Sequence, residues 1–299
     1  KTAYEIYQCD WSSDVCSSDL GLAIEFALMP FALYHFHKSG LYGVGANLVA
    51  IPLTTFVIMP LEAIALFLDA IGLGGPIWAL TGWAIGLLLA LAHKVAETPG
   101  AVAMLPQMPR VAFALIVLGG LWCCLWLRPW RRWGLVPMAA GMMLTLAAPL
   151  PDLLVTGDGK HLAVIDRDGT PWLLRDRAGD FVRSMMAENA GFDGDPPPLA
   201  AYPRARCSWD SCVADLGASG RTLLALRSGQ RVDWTELVRA CAVADIVVSD
   251  RRLPRACKAR WLTLDPPRLA ETGGLAVYAE KGRVETVANR LGRLPWAAP

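Results

Sequence analysis

The sequence predicts a polytopic α-helical membrane region followed by a soluble domain of the α/β or α+β class. The first observation is the stretch 30–60, which is almost wholly apolar yet contains three prolines and three glycines. The second is the distribution of charge, because residues 21–150 carry four acids and six bases, whereas residues 151–299 carry nineteen acids and twenty-one bases. The domain boundary is therefore expected near residue 150.

Residues 1–20 are treated separately from the membrane region. They are polar and serine-rich and lack the charged-then-apolar layout of a signal peptide. The end of the segment, from Cys16 to Leu20, can be encoded by the end of a widely used sequencing adapter. We expect residues 1–20 to be an assembly artefact ahead of a C-terminal fragment. A genuine soluble tail is the alternative.

About five membrane helices are expected in residues 21–150. A helix needs about 20 apolar residues to cross a bilayer, with roughly 17 as the lower limit. The segments that approach this length are 20–36, 41–68, 76–93, 111–127 and 135–150. Pro52 and Pro60 are expected to divide the second segment into a short or re-entrant piece and a helix, since proline interrupts helical hydrogen bonding.

The orientation of the region is predicted from one short cationic loop. Arg128, Arg131 and Arg132 lie between the last two expected spans, among tryptophans typical of membrane interfaces. Short loops rich in arginine and lysine stay in the cytoplasm. The last span then runs outward, which places the C-terminal domain on the periplasmic or extracellular side of the membrane.

Several polar or helix-breaking residues inside the apolar region are candidates for a transport path. Ionisable groups at membrane depth are costly and often functional. The candidates are Glu25, His35, His37, Asn47, Pro52, Pro60 and Glu62. Simpler roles remain open, since histidines near a span end can reach the interface and an asparagine can join two helices.

Residues 152–287 alternate short apolar runs with turn signals and two helical stretches. Asp-Gly steps at Asp158 and Asp168 separate three expected strands and indicate hairpin turns rather than a calcium loop, whose ligand spacing is absent. A helix is expected over residues 178–189 and another over 234–242, where Asp233 is a capping residue. Further strands complete a mixed domain.

The domain contains four cysteines whose state has three possible interpretations. In an oxidising compartment, disulfides Cys207–Cys212 and Cys241–Cys257 are the natural pairing, although four cysteines allow three pairings. Free thiols and a zinc site are the alternatives, but the cysteine pairs lack the usual zinc-knuckle spacing.

A basic run near the end of the domain is a candidate for contact with DNA phosphates. Its members are Arg251, Arg252, Arg255, Lys258 and Arg260. Clustered cations suffice to neutralise a nucleic-acid backbone. A solvated surface loop is the other interpretation. The net charge of +1 argues against a dedicated free nucleic-acid binder but leaves a local patch open.

The membrane region resembles the competence region of ComEC-type DNA-uptake proteins. The resemblance lies in the residues from Pro30 to His37, from Ala46 to Leu53 and from Ile58 to Pro60, and in the order of helices, charged loop, final span and outward domain. It implies passage of single-stranded DNA across the inner membrane during natural transformation. It also implies a lipid bilayer, other competence proteins and further copies of the chain as partners.

The resemblance also implies a C-terminal domain similar to a metallo-β-lactamase, and here the sequence departs from the family. The only histidine of residues 151–299 is His161, so the imidazole ligands of a two-metal hydrolytic centre are missing. We therefore expect a degenerate fold with no nuclease activity, bound metal or cofactor. Two rival functions remain, a membrane-tethered phosphodiesterase and a secondary transporter of small solutes.

Overall fold

The computed structural model describes residues 14–228 and 233–292, and the chain divides into two compact units. The helical unit comprises Lys1–Met104 and Arg110–Met142. The sheet unit comprises Met143–Pro299 together with the short segment Leu105–Pro109. A helical region followed by a domain with sheets confirms the general order predicted from the sequence.

In its described residues, the helical unit contains six α-helices and one small β-ribbon. The helices are α1 (Asp14–Phe36), α2 (Gly43–Pro52), α3 (Met59–Asp69), α4 (Gly75–Ala96), α5 (Arg110–Leu125) and α6 (Leu135–Leu146). The ribbon pairs β1 (Lys38–Gly40) with β2 (Val102–Met104) in antiparallel register. No local sequence pattern predicts this ribbon, whose strands have three residues each.

Two helices of the described chain are long and apolar enough to cross a membrane. They are Gly45–Asp69 and Gly75–Ala96, with 25 and 22 residues. Ala23–Phe36 and Arg110–Leu125 are apolar but shorter. The last expected span, 135–150, forms only the 12-residue helix α6. Length and composition thus support fewer complete spans than the five expected.

The helix from α2 to α3 continues where the sequence predicts a break. A π-helical segment, Leu53–Ile58, joins α2 to α3, so no re-entrant piece forms. Pro60 has no N–H to donate to the carbonyl four residues earlier, and its ring crowds that carbonyl. The backbone widens instead, and the Met59 N–H bonds to the carbonyl of Thr54, five residues back.

Helices α5 and α6 approach each other closely at glycines. A Cβ on Gly119 would lie 2.5 Å from the carbonyl oxygen of Gly134, and a Cβ on Gly141 would lie 2.6 Å from that of Ala112. Small residues permit such close helix packing, which is a typical driving force for association in membranes.

The described part of the sheet unit forms two five-stranded sheets. The first has the order β12-β11-β3-β4-β5 and is antiparallel. Its strands are β3 (Leu153–Val155), β4 (Leu162–Ile165), β5 (Pro171–Leu173), β11 (Leu275–Tyr278) and β12 (Arg283–Thr286). The second has the order β10-β9-β8-β7-β6. Its strands are β6 (Ala205–Cys207), β7 (Ser211–Leu216), β8 (Arg221–Leu226), β9 (Ile246–Val248) and β10 (Leu262–Leu264).

The second sheet is mixed because helices alternate with strands only in its later part. Strands β8, β9 and β10 run parallel, and β6, β7 and β8 are antiparallel. The helices of the unit are α7 (Asp180–Ala190), α8 (Trp234–Val243), α9 (Pro266–Thr272) and α10 (Val287–Leu291). The Asp233 carboxylate caps α8 by accepting from the N–H groups of Thr235 and Glu236, as predicted.

The two sheets share one apolar core and each has a helix on its outer face. Val164 of the first sheet and Leu223 and Ile246 of the second belong to the same fully buried cluster. A second cluster joins the first sheet to α7 through Met186, and a third joins the second sheet to α8 through Leu237. The result is a four-layer arrangement of helix, sheet, sheet and helix.

The segment Leu105–Pro109 is part of the sheet unit although it lies between α4 and α5 in the chain. Met108 is only 2% exposed, and the Tyr278 hydroxyl donates to Oε1 of Gln107 at 3.0 Å. Gly191, which ends α7 in the left-handed region at a φ of 72°, makes room for Pro106.

Substitution of Gly119 and of its neighbour Gly120 is predicted to have opposite effects. The methyl group added by Gly119→Ala would press on a backbone carbonyl, which costs about 1–3 kcal/mol for overpacking. Nothing lies within 4 Å of a Cβ at position 120, so Gly120→Ala gains helix propensity of up to about 1 kcal/mol. The midpoint of thermal unfolding in detergent should fall for Gly119→Ala and not for Gly120→Ala. Equal shifts in the two variants would contradict the close approach.

Substitution of Gly191 is predicted to destabilise the sheet unit more than substitution of Gly220. Both glycines have positive φ, at 72° and 63°, so alanine costs each about 1–2 kcal/mol of backbone strain. Only at position 191 does the new Cβ meet an atom, the Cδ of Pro106 at 2.7 Å. Chemical unfolding should therefore show a larger loss for Gly191→Ala, by about 1–3 kcal/mol. Similar losses would show that Leu105–Pro109 is not docked.

Candidate functional site

The acidic and amide candidates of the helical unit lie at separate places. Glu25 of α1 lies at the first residue of α2, where a Cβ on Gly43 would come 3.0 Å from its Oε1. The positive end of a helix favours a carboxylate at such a position. Glu62 is half-buried in the first turn of α3, and Asn47 is exposed on α2. Within the described chain, the side chains of these three residues make no hydrogen bond or ion pair with one another.

The remaining candidates of the helical unit also have separate surroundings. The His35 ring stands edge-on to that of Tyr34 at 5.0 Å, and His37 has a φ of 59° just before β1. Pro52 ends α2, and Pro60 lines a cavity of about 250 Å³ between the π-helical segment, α3 and α4. The other lining residues are apolar, namely Phe56, Val57, Leu61, Ile64, Leu80, Trp83 and Ala84. The structure does not gather the seven candidates into one polar path.

The cationic loop between α5 and α6 carries a cluster of tryptophans. Trp126 and Trp130 have ring centroids 4.4 Å apart, and Trp122 lies 5.4 Å from Trp130. The loop itself is a 3-10 helix, Pro129–Gly134, that contains Arg131 and Arg132. Aromatic rings beside exposed cations are typical of a membrane interface.

The basic run of the sheet unit is divided between the two ends of the second sheet. Arg251 and Arg252 follow the carboxyl end of β9, whereas Arg260 precedes the amino end of β10, and its N–H bonds to the carbonyl of Ala244. Because β9 and β10 are parallel, the loop between them returns along the sheet, so the two ends of the run lie at opposite edges.

Three members of the run line one cavity of about 580 Å³. They are Arg252, Arg255 and Lys258, and Asp265, Thr263 and Cys257 are among the other lining residues. All three cationic side chains are exposed, and in the part of the chain that the structure describes they have no ion-pair partner. The cavity can therefore accept an anion.

The carboxylates near this cavity are engaged in internal contacts. Asp250 accepts from Nη2 of Arg175 at 2.7 Å, which joins the end of the first sheet to the loop after β9. Asp265 accepts a long hydrogen bond from the Leu253 N–H. Internal pairing of the acids leaves the exposed face of the loop cationic.

The four cysteines of the domain form the two pairs expected from the sequence. Cys207 is bonded to Cys212 across β6 and β7, with Cα atoms 4.0 Å apart. Cys241 of α8 is bonded to Cys257 of the basic loop, with Cα atoms 5.2 Å apart. Cys123 and Cys124, on α5, are free among the described cysteines, and Cys9 lies outside the described residues.

Side chains that could hold a metal ion do not cluster in the described residues. Groups of three or more histidine, cysteine or acidic side chains with suitable placement are absent from residues 14–228 and 233–292. His161 stands at the start of β4, and Asp158 accepts from the Thr156 hydroxyl and from the Lys160 N–H. The Gly157–Gly159 region is thus a hydrogen-bonded hairpin turn, as the sequence indicated.

The candidates chosen from the sequence do not include one exposed aromatic residue of the second sheet. Trp209 lies at the tip of the β6–β7 hairpin and is 82% exposed. The Cys207–Cys212 disulfide closes the hairpin directly below it. The available signal in the sequence is a tryptophan between two closely spaced cysteines, a pattern that by itself predicts only a turn.

Comparison with known proteins finds one family that is similar to the helical region. Residues 4–130 match the family described as Competence protein, which confirms the resemblance found in the sequence. This part of the chain is therefore similar to the competence family. The match covers less than half of the 299 residues and leaves the sheet unit unassigned. No curated protein and no solved structure matches the chain.

The stability of the sheet unit is predicted to depend on pH through His161. Burial, then the positive charges of Arg175 and Lys160, lower the pKa of His161 below its ordinary value, although Asp158 opposes the shift. A histidine with a lowered pKa binds fewer protons when folded, so its contribution is intact above about pH 6.5 and is lost as pH falls through the folded pKa. The urea midpoint should fall less between pH 7 and 5 in His161→Gln. Parallel profiles would contradict this.

Proposed function

We propose that the chain is part of an inner-membrane channel that passes single-stranded DNA into the cell during natural transformation. The observation that carries this proposal is the match of residues 4–130 to the competence family. Apolar helices of crossing length in the same region support a membrane location. The proposal includes other competence proteins as partners and assembly with further copies of the chain.

We propose that the π-helical segment is the feature that distinguishes the helical unit from a simple membrane anchor. It widens the longest apolar helix between Pro52 and Met59. Such segments frequently occur at functional sites, because they displace the backbone and the side chains that follow. We propose that the segment shapes the path of the strand and that Glu62, in the turn beyond it, faces this path.

A periplasmic location of the sheet unit follows from two features in this proposal. The cationic loop with Arg131 and Arg132 favours the cytoplasmic side for the α5–α6 connection. The sheet unit includes both Leu105–Pro109, before α5, and the chain after Met142. One folded domain occupies one side of a membrane, so both outer ends of this hairpin belong on the same, outward side. An oxidising periplasm also suits the two disulfides.

The sheet unit is proposed to serve transport without hydrolysing DNA. The proposal rests on the residue types present, since His161 is the only imidazole of residues 151–299. The similarity of this unit to metallo-β-lactamases stays a prediction.

Substitution within the competence region tests the channel proposal. In a naturally transformable host, Glu62→Gln should lower transformation by about ten-fold or more, because intramembrane acids are seldom replaceable where they act. Growth and the amount of membrane-bound protein should not change. Glu97→Gln, at the exposed end of α4, is the matched control and should transform normally.

The step affected distinguishes DNA passage from transport of small solutes. With labelled duplex DNA, the Glu62→Gln cells should still bind DNA at the surface but should accumulate less internal single strand. Normal internalisation in this variant, at normal protein levels, would contradict the channel proposal.

A further inference from the structure

Exposed aromatic and cationic groups meet at one edge of the second sheet. Strands β8, β9 and β10 all finish at this edge, with Ala225 opposite Val248 and Val248 opposite Leu264. We name it the carboxyl edge. Strand β7 is antiparallel to β8 and begins there, because Ser211 pairs with Leu226, the last residue of β8. The tip of the β6–β7 hairpin therefore lies at the carboxyl edge.

Hydrogen bonds connect the hairpin tip to the start of the basic loop. The Arg227 N–H donates to the carbonyl of Asp210 at 2.9 Å, and the Ser228 hydroxyl donates to the Asp210 carboxylate. Arg251 then donates from Nη2 to the carbonyl of Ser228 at 2.7 Å. The tip and the basic loop are thus held in a fixed arrangement across β8, about 10 Å apart at the usual spacing of neighbouring strands.

The exposed groups on this frame are of two complementary kinds. Trp209 offers an indole that is 82% exposed on a tip closed by a disulfide. Arg252, Arg255 and Lys258 line the cavity of about 580 Å³ beyond Arg251. Among the acids nearby, Asp210 accepts from Ser228, Asp250 pairs with Arg175, and Asp265, which lines the same cavity, accepts from the Leu253 N–H. A rigid aromatic surface beside clustered cations is the combination that binds single-stranded nucleic acid, by stacking bases and neutralising phosphates.

We infer that the carboxyl edge is a binding surface for single-stranded DNA, on which Trp209 stacks a base while Arg252, Arg255 and Lys258 contact phosphates. The inference rests on the proposed function for the identity of the strand. In open sheets with parallel strands, ligands commonly bind outside the carboxyl ends of the strands, which agrees with this location. Arg260 lies at the opposite edge and takes no part.

Binding of a labelled oligothymidylate to the full chain in detergent tests the surface. An oligomer of about 20 nucleotides covers a site of this kind. Trp209→Ala should weaken binding roughly 5- to 150-fold, the usual loss when one stacked base is released, and Trp209→Phe should restore most of it. Phe181→Ala removes a comparably exposed aromatic on α7, at 80%, and should have no effect.

The salt dependence of the same binding tests the cations. The slope of log affinity against log salt should be smaller by about 2 when Arg252, Arg255 and Lys258 are changed together to glutamine, since each phosphate contact on a single strand contributes about 0.7. Arg260→Gln should leave the slope unchanged. Circular dichroism and the midpoint of unfolding confirm that each variant folds.

The inferred DNA-binding surface would be contradicted if folded Trp209→Ala had unchanged DNA affinity. It would also be contradicted if the triple variant had an unchanged slope of log affinity against log salt. If Trp209→Ala binds anionic vesicles less well but binds DNA normally, Trp209 contacts the membrane, and the inferred DNA-binding surface is again contradicted. These outcomes are separable from the channel proposal. If Trp209→Ala leaves DNA affinity unchanged while Glu62→Gln lowers transformation, only the binding surface is contradicted. If Trp209→Ala weakens DNA binding while Glu62→Gln transforms normally, only the channel proposal is contradicted.

Discussion

Pairing of backbone hydrogen-bonding groups is the constraint on which the helical unit depends. In a bilayer, water is not present to satisfy an exposed N–H or carbonyl, so the chain must keep its hydrogen bonds internal. Prolines at positions 52 and 60 would each leave a carbonyl unsatisfied in a regular α-helix. The π-helical segment lies between the two prolines, and it ends with a bond from the Met59 N–H to the carbonyl of Thr54, five residues back, so the backbone there stays internally hydrogen-bonded. The same constraint explains why the apolar chain from Gly43 to Asp69 stays helical.

The sheet unit depends on a different interaction, burial of apolar side chains between two sheets. Val164, Leu223 and Ile246 are fully buried in the shared core, and each such side chain contributes about 1.5–3 kcal/mol on burial. The disulfides attach the β6–β7 hairpin and the basic loop to the buried clusters, through Cys212 in the shared core and through Cys241 in the cluster between the second sheet and α8. They therefore fix the two elements from which the proposed DNA surface is made.

Much of the sheet unit could be predicted from local sequence signals. The Asp-Gly turns, the Asp233 cap and the alternating apolar runs each act over a few residues, and the structure forms β3, β4, β5 and α8 where they indicate. The expected cysteine pairs also came from local placement, one pair at a hairpin tip and the other between a helix end and the loop after the next strand. The proline break between α2 and α3 was predicted at the right residues but with the wrong consequence, because the sequence does not show how a helix redistributes its hydrogen bonds.

The remaining features depend on contacts between distant parts of the chain. The division of the basic run between two edges follows from the parallel pairing of β9 with β10, which no local pattern encodes. The β1–β2 ribbon joins residues about sixty positions apart in register. The role inferred for Trp209 depends on the strand order, which places its hairpin at the same edge of the second sheet as Arg251.

Docking of Leu105–Pro109 has a consequence for biosynthesis. This segment leaves the ribosome well before the strands of the sheet unit, and α5 and α6 are made in between. In the topology proposed above, the domain completes its core only after that helical pair has been inserted with both outer ends on one face of the bilayer. If α5 and α6 were inserted in the opposite orientation, Leu105–Pro109 would lie on the other face of the membrane. The groove at Gly191 and Tyr278 would then stay unfilled. In that topology, folding of the domain would be a check on the orientation of the inserted pair.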